Sequence, residues 1–387
     1  MNDDHSSISC SPQTTPVLTH VLYMCVEICI RIQPCIHRIY NDTSQTLFKK
    51  KSDSSAVTLA DTLVQSLLRK ALVPFVTTFV GEEPTEYNFE SHETMESEPI
   101  RVEDSELKTM IEQVYASIPG IVEQYNPRTS GNLVAFVDPI DGTSEFTKRK
   151  GNESTICVGF STHRPETQKY EPVAGLIFRV ISNTDKPEYA IGCRSEELYY
   201  DTLPKYENTK PTPAVVTSNG SVSPFLRKII ANGYNQVCSG GCGNKTLMLL
   251  EGRGDIYVQD RGVSRWDTCA AQAILEAHGG ILCTLTDYIA KMNEVSPASS
   301  PIGYDYSPSE YNRNPNPDAQ FGPMNVKEID PTILNKPIGD RNELVKPYSN
   351  LCGLLALPSR VFQRSESMNS LRDTVQSVLE LEKPVYN

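Results

Sequence analysis

The sequence predicts a mixed helix–sheet protein, α+β or α/β. Three observations carry this. Helical patterns lead, strand-rich stretches follow, and helix and strand patterns then alternate to the C-terminal end. A chain of 387 residues suggests two packed halves, at roughly 100–200 residues per domain, or one large α/β unit. We place the halves at 1–200 and 201–387.

Residues 1–13 read as a polar tail. A helical pattern runs from Thr15 to about Tyr40, with Pro34 marking a kink or an end. A second runs from about Thr58 to Ala71, with Leu59, Leu63, Leu67 and Leu68 as its apolar stripe and Asp61 off it. The run TTFVGEE is a short strand ending in a turn. The acidic segment from Glu86 to Glu106 feeds a helix capped near Asp104, which should stop before Pro119. Leu133 to Val137 is a strand that must end where Asp138-Pro139-Ile140-Asp141-Gly142 begins, because Pro and Asp-Gly are turn formers. Strands follow at about 154–160, 173–180, 188–193 and 214–217. A helix at Ser223–Ala231 precedes a glycine turn at Gly240 to Gly243, and Gly243 or Asn244 opens a helix to about Glu251. Asp255–Gln259 is a strand, and Trp266-Asp267 opens a helix that stops at Gly279-Gly280. Residues 296–347 hold 9 of the 27 prolines and show little periodicity, so they read as a long irregular insertion. A strand at 351–357 and a helix at about 368–382 close the chain.

Charge and cysteines narrow the function classes. With 36 basic against 48 acidic residues the net charge is −12, the wrong sign for a nucleic-acid polymer or an anionic membrane as partner. Eleven scattered cysteines show no disulfide spacing, which implies a reducing, cytoplasmic setting. Cys25 and Cys29, four apart, read as the buried face of a helix, rather than as zinc ligands with Cys35 and His37. Val17 to Ile32 falls short of the ~20 apolar residues a membrane span needs.

The chemistry concentrates in carboxylates. Asp138 and Asp141 stand three apart at a strand end, where both carboxylates and the Ile140 carbonyl can converge on a hard divalent cation. Thr143 follows, with a hydroxyl able to orient a water, and the Gly142 and Thr143 amides open a helix where a phosphate can sit. Taken alone, Asp-Gly is also a common turn. Glu82-Glu83 reads equally as a solvated loop, Asp267 as a helix cap, and Asp61 as an exposed polar face.

Together these residues resemble the lithium-sensitive, magnesium-dependent phosphomonoesterase superfamily. Its pattern is an early helical Asp, then Glu-Glu, then DP-I-D-(G/S)-T, then W-D opening a late helix. Here it reads Asp61, Glu82-Glu83, Asp138 to Thr143, and Trp266-Asp267, from about residue 54 to 285. LADTLVQ, GDIYV and WDTCAAQAIL are similar to the inositol polyphosphate 1-phosphatase branch. GCGNK is closer to the 3′(2′),5′-bisphosphate nucleotidases. Gly142 departs from the serine usual in the 1-phosphatases, and the 296–347 insertion is longer than the family expects.

The resemblance implies an αβαβα sandwich of the inositol monophosphatase and fructose-1,6-bisphosphatase type. It implies two or three magnesium ions: one on Glu82, Asp138 and the Ile140 carbonyl, a second on Asp138, Asp141 and Asp267, and a weaker third near Glu82 and Glu83. Thr143 paired with Asp61 would orient the attacking water, with lithium and calcium as inhibitors. The substrate would be a small phosphate ester, contacted by Gly142, Thr143, Gly241, Cys242, Gly243, Lys245 and Arg265. Removal of the 1-phosphate from inositol 1,4-bisphosphate or 1,3,4-trisphosphate is the leading expectation. Hydrolysis of 3′-phosphoadenosine 5′-phosphate is the alternative, and a phosphate-binding protein without turnover is a third. Whether the protein is a monomer or a dimer is not legible. Two decoys fall away. Gly240 to Thr246 lacks the GK[ST] core of a P-loop, and Arg253-Gly254-Asp255 is a turn into a strand.

Overall fold

A computed structural model describes residues 17–42, 47–50, 56–126, 132–182, 184–207, 212–220, 222–260, 263–296, 303–309, 348–350 and 353–384. The polar tail and nearly all of the 296–347 insertion lie outside these residues.

Three helices come first: α1 (Val17–Asn41), α2 (Leu59–Leu72) and α3 (Ser105–Tyr125). α1 holds Pro34 within a helix that reaches Asn41, close to its expected end, whereas α3 runs through Pro119, contrary to the expected stop. A helical proline removes one hydrogen bond. Beyond each, buried side chains (Cys35, Ile36 and Ile39 in α1, Ile121 in α3) hold the later turns on the core.

The first sheet has six strands: β1 (Thr78–Gly81), β2 (Leu133–Asp141), β3 (Thr155–Arg164), β4 (Lys169–Arg179), β5 (Tyr189–Cys193) and β6 (Leu198–Asp201). They lie in the order β6-β5-β4-β3-β2-β1, antiparallel except for the β1–β2 pair. The second sheet has five: β7 (Ala214–Ser218), β8 (Asn235–Ser239), β9 (Ile256–Gln259), β10 (Ile281–Thr284) and β11 (Leu354–Leu357), in the order β8-β7-β9-β11-β10. Strands β6, β8 and β10 are not among the expected strands, although LYYD and ILCT have strand-forming residues. β8 reads NQVCS and lies at the sheet edge, where polar residues are tolerated.

Alternation along the strands sets the layers. In β2, Leu133, Ala135 and Val137 pack with α1, α2 and α3, while Val134 and Phe136 face the other way. There they meet helices α6 (Cys242–Glu251) and α7 (Arg265–Ala277). Those helices are covered on their far side by Val216, Tyr257, Leu354 and Ala356 of the second sheet. The opposite face of that sheet packs on α5 (Pro224–Ala231) and α8 (Ser365–Leu379). The order is therefore αβαβα.

α7 approaches the first sheet closely for a sequence reason. Gly159, Gly175 and Gly192 stand in register across β3, β4 and β5. A Cβ on Gly175 would lie 2.5 Å from the Ala270 carbonyl oxygen. The glycine row is the groove in which α7 lies, and the N-terminus of α7 carries Asp267.

Candidate active site

The strand β2 does not end at Val137. It continues through Asp141, with a register shift between Asp138 and Asp141. Asp138 pairs with Cys157 and Asp141 with Thr155, so β2 holds two residues where β3 holds one. In a regular strand, residues three apart point to opposite faces. The extra residue of this bulge restores parity. Asp138 shares the face of Val134 and Phe136, towards the central helices, and the bulge turns Asp141 to the same side. This is how Pro139 brings two carboxylates together.

Asp267 reaches the same point from α7. Asp138, Asp141 and Asp267 each place a carboxylate oxygen within 4.8 Å of the others. Asp267 is the third residue of α7, and its Oδ2 accepts from the Ser264 amide at 2.6 Å. It caps the helix from within and still reaches the cluster, so the helix-cap reading and the ligand reading both hold. Asp61 repeats the device in α2. Its Oδ2 accepts from the Thr58 amide at 2.7 Å and from the Thr58 hydroxyl at 2.5 Å. Its Oδ1 accepts from Thr143 Oγ1 at 3.2 Å. Asp61 is fully buried, not the exposed polar face its position off the leucine stripe suggested.

Thr143 Oγ1 also lies 2.9 Å from the Ile140 carbonyl, so that oxygen is shared between the hydroxyl and any further partner. Thr143 opens the short helix α4 (Thr143–Thr147) behind Gly142. The Glu82-Glu83 turn is pinned by Gln65, whose amide donates to the Glu83 carbonyl at 2.6 Å and accepts from the Glu83 amide at 3.0 Å. Gln65 lies four residues after Asp61, hence on the same helix face, a signal present in the sequence but unused. Glu82 acts on Asp138, while Glu83 is buried beside Gln65.

Asp141 is cradled by α6. Its Oδ1 accepts from the Cys242 amide at 3.0 Å, and its Oδ2 from the Gly243 amide at 2.6 Å and from Thr155 Oγ1 at 3.1 Å. A Cβ on Gly243 would fall 2.3 Å from Thr155 Oγ1, and one on Gly241 (φ +58°) 2.8 Å from Asp141 Oδ2. These glycines let the helix meet the carboxylate. The amides of Cys242 and Gly243 are engaged there, not open to a substrate ring.

The sequence comparison bears on this geometry directly. The family model described as the inositol monophosphatase family matches residues 18–307, three quarters of the chain. The chain belongs to the inositol monophosphatase family. It is 29% identical to rat 3′(2′),5′-bisphosphate nucleotidase 1, over 61% of this chain and 73% of that protein. To the human protein of the same name it is 26% identical, over 70% and 87%. A solved structure of a dual-specific IMPase/NADP phosphatase bound with D-inositol-1-phosphate aligns over 97% of this chain and 100% of its own. Its TM-score is 0.53 at 12% identity, a likeness of fold alone. The protein is thus a metal-dependent phosphatase of this family, which generally uses magnesium and acts on small phosphate esters.

The donor set fits such an ion. Burial, then the Glu82, Asp141 and Asp267 charges, push the Asp138 carboxyl well above the carboxylate range. Asp141 is raised by burial and drawn back by Lys245 and its hydrogen bonds. Asp267 is pushed up to about 6 by burial and Asp141. Each ionised pair at this spacing repels by about 3 kcal/mol at an effective dielectric near 20. Lys245 brings one positive charge. The buried Asp138 Oδ1 has no hydrogen-bond partner. Hard oxygen ligands, an excess of negative charge and an orphaned oxygen are what a divalent cation satisfies.

Lys245 is buried on α6, its Nζ 5.2 Å from the Tyr257 ring centroid. Arg265 goes elsewhere. It is fully buried, its guanidinium donates to the Ser307 and Ser309 carbonyls, and burial lowers its pKa to about 10. It anchors the 303–309 segment. Beside the 240–243 turn, Asn219 donates to Glu153 at 2.6 Å and to Glu145 at 3.3 Å, and the Gly240 amide donates to Glu153 at 2.6 Å. Thr155, Asn219, Glu145 and Glu153 carry no motif, because only the sheet register and the β7 loop bring them here. The zinc reading has no support: Cys25, Cys29 and Cys35 are buried in α1, and His37 Nε2 lies 3.1 Å from the Val180 carbonyl. Among the described residues no helix is long and apolar enough to cross a membrane.

Proposed function

We propose that this protein hydrolyses one phosphate of a small bisphosphate, with Thr143 and Asp61 orienting the attacking water. The observation that carries this is the contact of Thr143 Oγ1 with both Asp61 and the Ile140 carbonyl, beside the three-aspartate cluster. A hydroxyl that donates to Asp61 keeps its lone pairs for a water. Asp61, anchored by Thr58, holds that orientation and takes up the proton. We assign one magnesium to Glu82, Asp138 and the Ile140 carbonyl, a second to Asp138, Asp141 and Asp267, and a weaker third to Glu82 and Glu83. When bound, magnesium lowers the pKa of water, stabilises the leaving oxygen and reverses the sign of an otherwise phosphate-repelling site. Gly142 and Thr143 present backbone amides to the phosphate.

Lys245, whose charge acts on Asp141 and Asp267, is assigned to the second phosphate. Arg265 is not assigned to the substrate. We divide the chain at about residue 200, where the last strand of the first sheet ends, and place the protein in the cytoplasm on its cysteine usage.

Two substrate classes fit. The turn GCGNK and the two relatives named as bisphosphate nucleotidases favour 3′-phosphoadenosine 5′-phosphate, which we place first. LADTLVQ and WDTCAAQAIL favour the 1-phosphate of inositol 1,4-bisphosphate or 1,3,4-trisphosphate. Phosphate release from each, separately and in competition, decides. Faster turnover of the nucleotide supports the first reading, and turnover of the inositol phosphates alone overturns it.

A further inference from the structure

Asn244 breaks the P-loop pattern of the 240–246 turn, and the structure shows what it does instead. Its Oδ1 accepts from Arg179 Nε at 3.2 Å and Nη2 at 2.9 Å, and its Nδ2 donates to Ser239 Oγ at 2.7 Å. The same guanidinium pairs with Glu251 Oε1 at 2.7 Å and with Glu188. Asn244 lies in the first turn of α6 and Glu251 is its last residue. One arginine side chain therefore grips both ends of the helix. Arg179, Glu188, Asn244 and Glu251 are each no more than 2% exposed.

This grip is aimed at Asp141. Arg179 is the cross-strand partner of Thr155, which donates to Asp141 Oδ2. Asn244 adjoins Gly243, whose amide donates to the same oxygen. A turn about the helix axis by one residue, about 100°, would carry both α6 amides and Lys245 off the carboxylate. Hydrophobic attraction is non-directional and does not by itself select this register of a helix buried on every side. A planar guanidinium on fixed acceptors resists that turn strongly. Stability alone is a poor reason for the network, because desolvation offsets most of the gain from a buried ion pair.

We propose that Arg179 and Asn244 are positioning residues for the metal centre: they lock the register of α6 so that it presents Asp141 in its ligating orientation. The proposal rests on the metal-centre reading of Asp138, Asp141 and Asp267, and not on which substrate is hydrolysed.

The test is calorimetric titration of manganese(II) alone into the purified full chain, with melting of the metal-free proteins in parallel. Asn244→Leu leaves both of the arginine's carboxylate partners in place. It should weaken manganese binding roughly 10–100-fold, the usual effect of removing an outer-sphere partner. Arg179→Lys keeps the charge but not the fork, and should also bind more weakly. Ser239→Ala removes only the hydroxyl on the Asn244 amide and should give a smaller loss, which keeps the test decisive if the other variants do not fold. Lower melting temperatures with wild-type manganese affinity would overturn the proposal and leave a purely structural network. No manganese binding by the wild type would instead remove the metal-centre reading, and this proposal with it.

Discussion

Thr143 Oγ1 lies 3.2 Å from Asp61 Oδ1, across 82 residues of sequence. The two come from different elements, α4 behind the β2 bulge and the first turn of α2. Each is held by a second interaction, with the Ile140 carbonyl and with Thr58. Thr143→Ala is expected to lower kcat roughly 10²–10⁴-fold, the usual contribution of positioned proton transfer, with little change in KM. Asp61→Asn should lower kcat similarly. Steady-state kinetics of both variants check this, and a raised KM with kcat unchanged would point to substrate binding instead.

Metal-free stability should fall as pH rises, relative to a variant lacking one carboxylate. Burial raises Asp267 to about 6 from an ordinary 3.8, so the folded state favours its protonated form. That contribution is fully present below the unfolded value and is lost as pH rises through the folded one. Melting in chelator at pH 4 to 7 should show wild type losing stability relative to Asp267→Asn across this window. Magnesium should restore it. A wild type that gains on the variant as pH rises would contradict the electrostatics.

Gly175 is the centre of the row under α7, with the Ala270 carbonyl oxygen 2.5 Å from where its Cβ would stand. Gly175→Val should destabilise by about 1–3 kcal/mol or more, as overpacking does. Because α7 carries Asp267, magnesium affinity should fall as well. Denaturant melts and metal titration of the one variant read both effects.

Lithium should reduce turnover at fixed magnesium, and added magnesium should relieve it if the two compete for one site. Calcium should also inhibit, its larger radius and looser coordination serving the reaction poorly. Initial rates over a grid of both ions test this, and lithium inhibition indifferent to magnesium would place lithium elsewhere.

Much of this was legible in the sequence, for local reasons. Glu82 and Asp141 sit at strand ends, and Asp61, Thr143 and Asp267 at helix starts, where short motifs report on local geometry; Asp138 belongs to the same DPIDGT motif. The same local rules misled at Pro119, and at Asp138-Pro139, where turn formers build a bulge inside a continuing strand. Tertiary packing overrode propensity in both places. Arg265 and the Cys242 and Gly243 amides have partners that are distant in sequence, so no local pattern announces them. Ser307 and Ser309 take the arginine, and Asp141 takes the amides. Thr155 and Asn219 reach the site through strand register and a loop of the second sheet, neither of which leaves a local pattern.

Phosphate release from 3′-phosphoadenosine 5′-phosphate and inositol 1,4-bisphosphate, with and without magnesium, for wild type and Asp138→Asn, tests the central claim most directly. The expected result is release by the wild type only with magnesium, and none by Asp138→Asn, although that variant stays folded. Release by wild type without a divalent ion, or undiminished release by Asp138→Asn, would contradict it.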